Sequence, residues 1–214
     1  MRTLLLPVKD FSGAKHRLSP VLTQTERAGL ARAMCQDVVA AVAGAKNLER
    51  VVVFTASEEV AGIARLSGFD IVQEEAVRGH SHAVNQMTEL LTASGTVVAI
   101  ASDLPALQSG ELDTVMKACE STLVLLPSRD GTGTNGVVMH LGMRIEMSYG
   151  EDSLRRHLAA AAAAGIPCTV MAVPGIALDI DTWEDLLVYV QTAPSPSHTR
   201  RYIEDSRIIG KLHR

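Results

Sequence analysis

Short continuous apolar runs alternate along this chain with longer stretches in which apolar residues recur at helical spacing. The runs Thr3–Val8, Arg50–Thr55, Asp70–Gln73, Thr96–Ile100, Thr122–Leu126, Gly136–Leu141 and Thr169–Val173 are rich in Val, Ile and Leu and predict strands. Helices are expected between most of them. Thr23-Gln24-Thr25-Glu26 is a capping box, and the helix that follows runs to about Ala43. Ser57 is placed to cap a helix from Glu58 to about Leu66, stopped by Gly68. Further helices are predicted from about Ser81 to Thr92, from Ser109 to Cys119, and from Ser153 to Ala164 before Gly165 and Pro167. A last one is capped by Thr182-x-x-Asp185 and reaches about Val190. Strands apolar throughout, alternating with helices, imply a mostly parallel sheet covered on both faces. Ligands of such sheets sit at the carboxyl ends of the strands. The polar clusters of this chain follow strands, so they are expected to converge on one edge.

Composition narrows the class. At 214 residues, one large domain over 1–190 is expected, followed by a Pro/Ser-rich and basic tail, 191–214, that is either solvated or a subunit-docking segment. The apolar fraction is 47% with 3% aromatic, so the core is aliphatic. A net charge of −4 gives no general basic field for nucleic acid. Cys35, Cys119 and Cys168 are widely spaced in apolar surroundings and read as buried free thiols in a cytoplasmic protein, not a disulfide or zinc framework. No apolar run is long enough to span a bilayer. The oligomeric state is left open, a homodimer included.

The densest chemical signal is Asp130-Gly131-Thr132-Gly133-Thr134-Asn135, between two predicted strands. Glycines allow close backbone approach, and Thr hydroxyls with free N–H groups can cradle an oxyanion. The Gly131-x-Gly133-x-x-Gly136 spacing matches the dinucleotide fingerprint, but a strand follows where that fingerprint requires a helix. Lys9, Lys15 and Arg17 cluster after the first strand, which suits a polyphosphate; Gly-Lys-Ser/Thr is missing, so this is not a P-loop. Asp103 follows the strand at Thr96–Ile100, where a carboxylate can hold Mg²⁺ beside phosphates or form an Asx turn. Asp179 and Asp181 share a face if their segment is extended; Thr182 caps the next helix and leaves Asp181 for the site. Gly150 to Ser153 opens a helix whose N-terminus can bind an anion, and Arg156 and His157 on it face either ligand or water. His80 and His82 point apart and lack a third soft ligand, which argues against zinc. No nucleophile elbow is present.

These segments occur in a familiar order. Pro7-Val8-Lys9, Ala14-Lys15-x-Arg17-Leu18, Asp103-Leu104-Pro105, Pro127-Ser128-x-Asp130 through Asn135, Tyr149-Gly150-x-x-Ser153-x-x-x-His157 and Leu178-Asp179-Ile180-Asp181-Thr182 span roughly 3–190. The chain thereby resembles the guanylyltransferases that activate 2-phospho-L-lactate or phosphoenolpyruvate in making the deazaflavin coenzyme F420. The resemblance implies an α/β, GT-A-like (Rossmann-like) nucleotidyltransferase fold. It implies transfer of GMP from GTP to 2-phospholactate, phosphoenolpyruvate or 3-phosphoglycerate, with release of pyrophosphate. By it, Lys9, Lys15 and Arg17 hold the GTP phosphates, and Asp103 and Asp181 hold Mg²⁺. With Lys15 these two carboxylates form the expected catalytic set. Thr134, Gly150 and Ser153 hold the phosphorylated acid. One departure concerns the nucleotide: the family's Gly-Leu-Asn before the third helix is Gly79-His80-Ser81 here, so Gly79 and Ser81 are expected near the base, whose identity stays open. The acceptor is an already ionised phosphate oxygen and needs no general base. A GT-A glycosyltransferase and a non-catalytic nucleotide-binding subunit are the rival expectations.

Overall fold

The computed structural model describes residues 1–74, 79–91, 95–119, 122–193 and 196–211. Its strands are β1 (Arg2–Pro7), β2 (Arg50–Thr55), β3 (Asp70–Gln73), β4 (Thr96–Ile100), β5 (Leu123–Pro127), β6 (Thr134–His140) and β7 (Cys168–Val170). The helices are α1 (Gln24–Ala43), α2 (Glu58–Leu66), α3 (His80–Leu90), α4 (Ser109–Ala118), α5 (Ser153–Ala163), α6 (Pro174–Ala177), α7 (Trp183–Thr192) and α8 (His198–Asp205). The strands form one sheet in the order β3-β2-β1-β4-β6-β5-β7.

Period-two alternation divides the core. Leu4, Leu6, Val98, Ile100, Val124 and Leu126 face one side, where α1, α4 and α7 supply Val38, Leu112 and Leu186. Leu5, Val97, Ala99, Leu123 and Leu125 face the other, where α3 supplies Val84 and Met87 and α5 supplies Ala161. Both faces are therefore covered, as the apolar runs predict. The predicted capping boxes at Thr23/Glu26 and Thr182/Asp185 are both formed. Ser57 sits at the N-cap of α2 but makes no side-chain cap; its hydroxyl lies 3.4 Å from Asp10 Oδ2. The predicted end of the third helix at Thr92 lies outside the described residues.

One strand departs from the parallel expectation. β6 is antiparallel to both β4 and β5. A parallel pair needs a crossover of a dozen or more residues, whereas β5 and β6 are joined by a short loop with no room for a helix. The hairpin still leaves its loop at the carboxyl end of β5, on the same edge as the ends of β1 and β4. Its register shifts between Leu126 and Pro127, so that Pro127 pairs Thr134 and the bulge re-aims Thr134 and Asn135. Gly136 is required by packing, because a Cβ there would lie 2.9 Å from Leu126 Cδ1 and 3.2 Å from the Ala99 carbonyl oxygen. The last predicted strand is shorter than expected. β7 stops at Val170 and Pro174 opens the single turn of α6.

The described part of the tail docks one face on the domain itself and leaves the other exposed. α8 packs along α1, with Ile203 and Ile208 buried. Asp37 of α1 accepts the N–H groups of His198 and Thr199 at 2.7 and 2.9 Å, satisfying donors at the start of α8. Tyr202 lies over Gly29, where a Cβ would overlap the phenol. Among the described residues, no helix is long and apolar enough to cross a membrane.

Candidate active site

The carboxyl ends of β1, β4 and β5, the start of β6 and the segments 149–153 and 179–185 enclose a cleft of about 1360 Å³. Lys9, Lys15, Arg17, Asp103, Thr134, Gly150, Ser153, Asp179 and Asp181 all line it. Those residues are far apart in the chain; the parallel direction of β1, β4 and β5 brings the first of them to one edge, and the start of β6, the start of α5 and the segment after α6 close on it.

Lys15 is the centre of the charged wall. Its ammonium lies 2.6 Å from Asp103 Oδ2 and 2.7 Å from Asp181 Oδ1, with the lysine side chain 6% exposed. Burial works against the Lys15 charge, but Asp103 and Asp181 outweigh it and hold its pKa above the ordinary lysine value. Burial likewise pushes the Asp103 carboxyl up, and Lys15 more than offsets this, so Asp103 stays ionised below its usual range. Lys15 adopts a left-handed backbone with φ 56°, uncommon for a residue with a Cβ. Asp179 is left out of the Lys15 pairing. Burial, then the neighbouring Asp103 charge, raise its pKa to about 6, against a 2.8 Å hydrogen bond from Asn135 Nδ2. The same Asn135 amide donates to the Ile176 carbonyl at 2.9 Å, so the end of the Gly/Thr loop fixes the carboxylate segment. Sequence reasoning missed this clamp. Lys9 and Arg17 are exposed on the cleft rim.

The Gly/Thr loop is built differently from the expected oxyanion cradle. Its N–H groups are used internally: Gly131 N–H on the Ser128 carbonyl, Thr132 N–H on Asp130 Oδ1, and Gly133 N–H on Ser128 Oγ. Ser128 Oγ in turn donates to Asp130 at 2.6 Å, and these bonds lower the Asp130 pKa to about 2. The loop is therefore a pre-formed turn. It leads into Thr134, a lining residue of the cleft, and its Thr132 carbonyl accepts the Leu154 N–H of α5 at 3.0 Å. Arg129 on the loop also pairs with Asp185 at 2.8 Å, tying it to the start of α7.

Facing this loop is the start of α5. The Ser153 and Leu154 N–H groups are engaged, so the anion site expected at the helix N-terminus is narrower than its first turn suggests. Gly150 has φ 113° and Asp152 φ 52°, a bent approach that only Gly150 makes without strain. The orientation left open on α5 is resolved: His157 is buried inward, while Arg155 and Arg156 are exposed. Arg156 Nη2 donates to the Tyr149 carbonyl at 3.1 Å. His157 bridges the Ser148 N–H and Thr134 Oγ1 at 2.9 and 3.0 Å. Its spacing of four from Ser153 puts both on one helix face, a signal the sequence carried.

At Gly79-His80-Ser81, His80 lines the cleft, whereas Gly79 and Ser81, expected near the base, do not. Ser81 Oγ accepts the Tyr149 N–H at 2.8 Å and so holds the Tyr149-Gly150 segment. His80 packs edge-on against Tyr149, with ring centroids 4.3 Å apart. Burial pushes the His80 pKa down to about 4 against the nearby Asp103 charge. Among the described residues, no group of three or more His, Cys, Asp and Glu is arranged to hold a metal. Two carboxylates do converge on one cation, the Lys15 ammonium.

Similarities to known proteins agree with this geometry. In fold, the chain is similar to a crystal structure described as a nucleotide-diphospho-sugar transferase from Desulfovibrio desulfuricans. The TM-score is 0.78 at 15% identity, over 99% of this chain and 97% of that one. In sequence it is 34% identical to a phosphoenolpyruvate guanylyltransferase of Conexibacter woesei, over 85% of this chain and 84% of that protein. It is 29% identical to a 2-phospho-L-lactate guanylyltransferase of Methanothermobacter thermautotrophicus, over 98% and 93%. The family described as "Guanylyl transferase CofC like" matches residues 1–213. With nearly the whole chain matched and the cleft assembled, this protein belongs to the CofC-like guanylyl transferase family and is a nucleotidyltransferase.

Proposed function

We propose that the protein transfers GMP from GTP to a small phosphorylated carboxylic acid and releases pyrophosphate, as a step in making a deazaflavin coenzyme. The acceptor is 2-phospholactate, phosphoenolpyruvate or 3-phosphoglycerate; the curated relatives above carry names with two of these acids. The observation that carries the reading is that one cleft gathers both sets of residues: Lys15 paired with Asp103 and Asp181, and Thr134, Gly150 and Ser153.

Lys9, Lys15 and Arg17 are assigned to the triphosphate. Their charges lower the repulsion between two polyanions and stabilise negative charge that builds during in-line attack at the α-phosphorus. Thr134, Gly150 and Ser153 are assigned to the acid, which they hold with its phosphate oxygen aimed at the nucleotide. That oxygen is ionised at neutral pH, so no side chain need remove a proton. A divalent cation, Mg²⁺, fits Asp103 and Asp181: both are hard oxygen donors already gathered on one positive charge, and Mg²⁺ commonly takes one or two carboxylates and completes its shell with water and phosphate. When bound it would supply Lewis-acid polarisation of the phosphates. The partners on this reading are GTP and the acid, with no nucleic acid and no membrane. The proposed setting is cytoplasmic, and a homodimer is compatible with it.

The test is pyrophosphate release with each of GTP, ATP, CTP and UTP against each acid, with mass detection of the product. GTP with one of the acids is expected to turn over. A preference for another base would assign His80 to a changed nucleotide pocket, and no turnover with any acid would overturn the reading.

A further inference from the structure

His157 has both ring nitrogens engaged by protein. The Ser148 N–H lies 2.9 Å from Nε2, and Thr134 Oγ1 lies 3.0 Å from Nδ1. A backbone N–H only donates, so Nε2 bears no proton. The ring is fully buried, and burial together with the Arg156 charge pushes its pKa down to about 4, so it is neutral near pH 7. The single proton is therefore on Nδ1, and Nδ1 donates to Thr134 Oγ1. A hydroxyl that accepts from His157 keeps its own proton for another partner. Thr134 is a lining residue of the cleft and is 7% exposed, so a ligand seated against it is the partner left for that proton. In the opposite arrangement Thr134 would donate to His157 and turn a lone pair toward an anion. The Ser148 N–H excludes it.

The direction of this one hydroxyl matters because the neighbouring backbone donors are committed. The N–H groups of Gly131, Thr132, Gly133, Ser153 and Leu154 are all bonded within the protein. We propose that His157 is a positioning residue for the transfer reaction: relayed from the Ser148 N–H, its imidazole fixes the Thr134 hydroxyl as a hydrogen-bond donor to the carboxylate or phosphate of the acceptor acid. The inference rests on the reading of Thr134 as a residue of the acid site. α5 then has two tasks, presenting Ser153 from its first turn and aiming Thr134 from its second.

The test separates the two ends of the relay. His157→Gln places an acceptor near Nε2 for Ser148 and deletes the donor to Thr134; His157→Asn keeps an amide N–H near Nδ1 and gives up Ser148. With the acid the wild-type protein uses, His157→Gln is expected to raise KM for the acid about 5–20-fold and to leave KM for GTP within about two-fold, the scale of one hydrogen bond. His157→Asn is expected to recover most of that loss. Thr134→Val combined with His157→Gln is expected to be no worse than Thr134→Val alone. Wild-type acid KM in His157→Gln beside a raised one in Thr134→Val would overturn the relay while sparing the acid site. Equal increases in both KM values, or additive effects in the double variant, would also overturn it. An unchanged acid KM in Thr134→Val would remove Thr134 from the acid site and the inference with it. Independently of activity, long-range ¹⁵N correlation spectra of the full chain are expected to show His157 protonated at Nδ1; the Nε2–H tautomer would overturn the proposal.

Discussion

The Lys15 ammonium lies 2.6 Å from the Asp103 carboxylate, although 88 positions separate the two residues in the chain. β1 and β4 are neighbours in the sheet, so the loops that follow them meet at one edge. Asp181 joins the same ammonium at 2.7 Å. The three form one hydrogen-bonded charged unit centred on the Lys15 ammonium.

Removing one carboxylate charge from that unit gives the first prediction. Asp103→Asn and Asp181→Asn preserve shape and are expected to lower turnover on the order of 10²–10³-fold, the scale of a lost electrostatic contact in a transition state. Asp179→Asn is expected to be milder, because Asp179 is bonded to Asn135 and is outside the Lys15 pairing. Steady-state rates across a Mg²⁺ titration check the ranking. The reverse order would show that Asp179 is the working carboxylate.

Lys15 and Arg17 separate structural from ligand roles. Lys15→Met leaves two carboxylates facing each other and is expected to cost about 1–2 kcal/mol, less than for a fully buried pair because the Asp181 side chain is 43% exposed. Mg²⁺ with GTP is expected to restore part of that stability. Arg17→Ala, at the rim, is expected to leave melting unchanged and to weaken GTP binding about 10-fold. Calorimetric titration and thermal melts measure both; unchanged GTP affinity in each variant would make this loop mere surface.

On the acid side, Ser153→Ala is expected to raise KM for the acid about 5–20-fold and to change KM for GTP little. Thr134→Val is expected to do the same, since it deletes a donor while keeping shape. Raised KM for GTP with an unchanged value for the acid, in both variants, would exchange the two halves of the cleft.

Stability should depend on pH through His157. Burial, with a smaller effect of Arg156, depresses its pKa to about 4, while the unfolded chain has an ordinary histidine near 6.5. The group facing it from the next segment is the Tyr149 ring, 5.3 Å away between centroids. Below about pH 6.5 the unfolded state takes up a proton that the folded state refuses. This contribution is therefore complete above pH 6.5 and is lost as pH falls toward 4. Urea unfolding at pH 7 and pH 5 is expected to show the wild type losing about 1–2 kcal/mol more than His157→Gln over that interval. Parallel losses would mean that His157 does not titrate this way.

The docked tail gives a stability prediction remote from the cleft. Gly29→Val would drive a side chain into the Tyr202 phenol and is expected to lower Tm by several degrees, about 1–3 kcal/mol for an overpacked contact. Unchanged melting would mean that α8 contributes little to the folded state.

Local patterns in the sequence determined most of the elements and marked many of the residues that the fold gathers in the cleft. Capping boxes at Thr23/Glu26 and Thr182/Asp185 set helix starts through side chains three residues away, and continuous Val/Leu/Ile runs marked buried strands. The positions of Lys9, Lys15 and Arg17 after β1 and of Asp103 after β4 were enough to place them at one sheet edge, because those strands are parallel; Asp181 reaches the same edge from the segment after α6. The tertiary structure decided what depends on pairing between distant segments. It turned β6 antiparallel, since a short loop permits nothing else. It docked α8 on α1 through Asp37 and Tyr202, contacts with no local signature. It filled the N–H groups of Gly131, Thr132 and Gly133 internally and set the Thr134 hydroxyl against His157 beside the cleft. It put His80 rather than Ser81 at the cleft wall. Hydrogen-bond partners and burial are properties of the assembled fold, and those decide which polar residues remain available to a ligand.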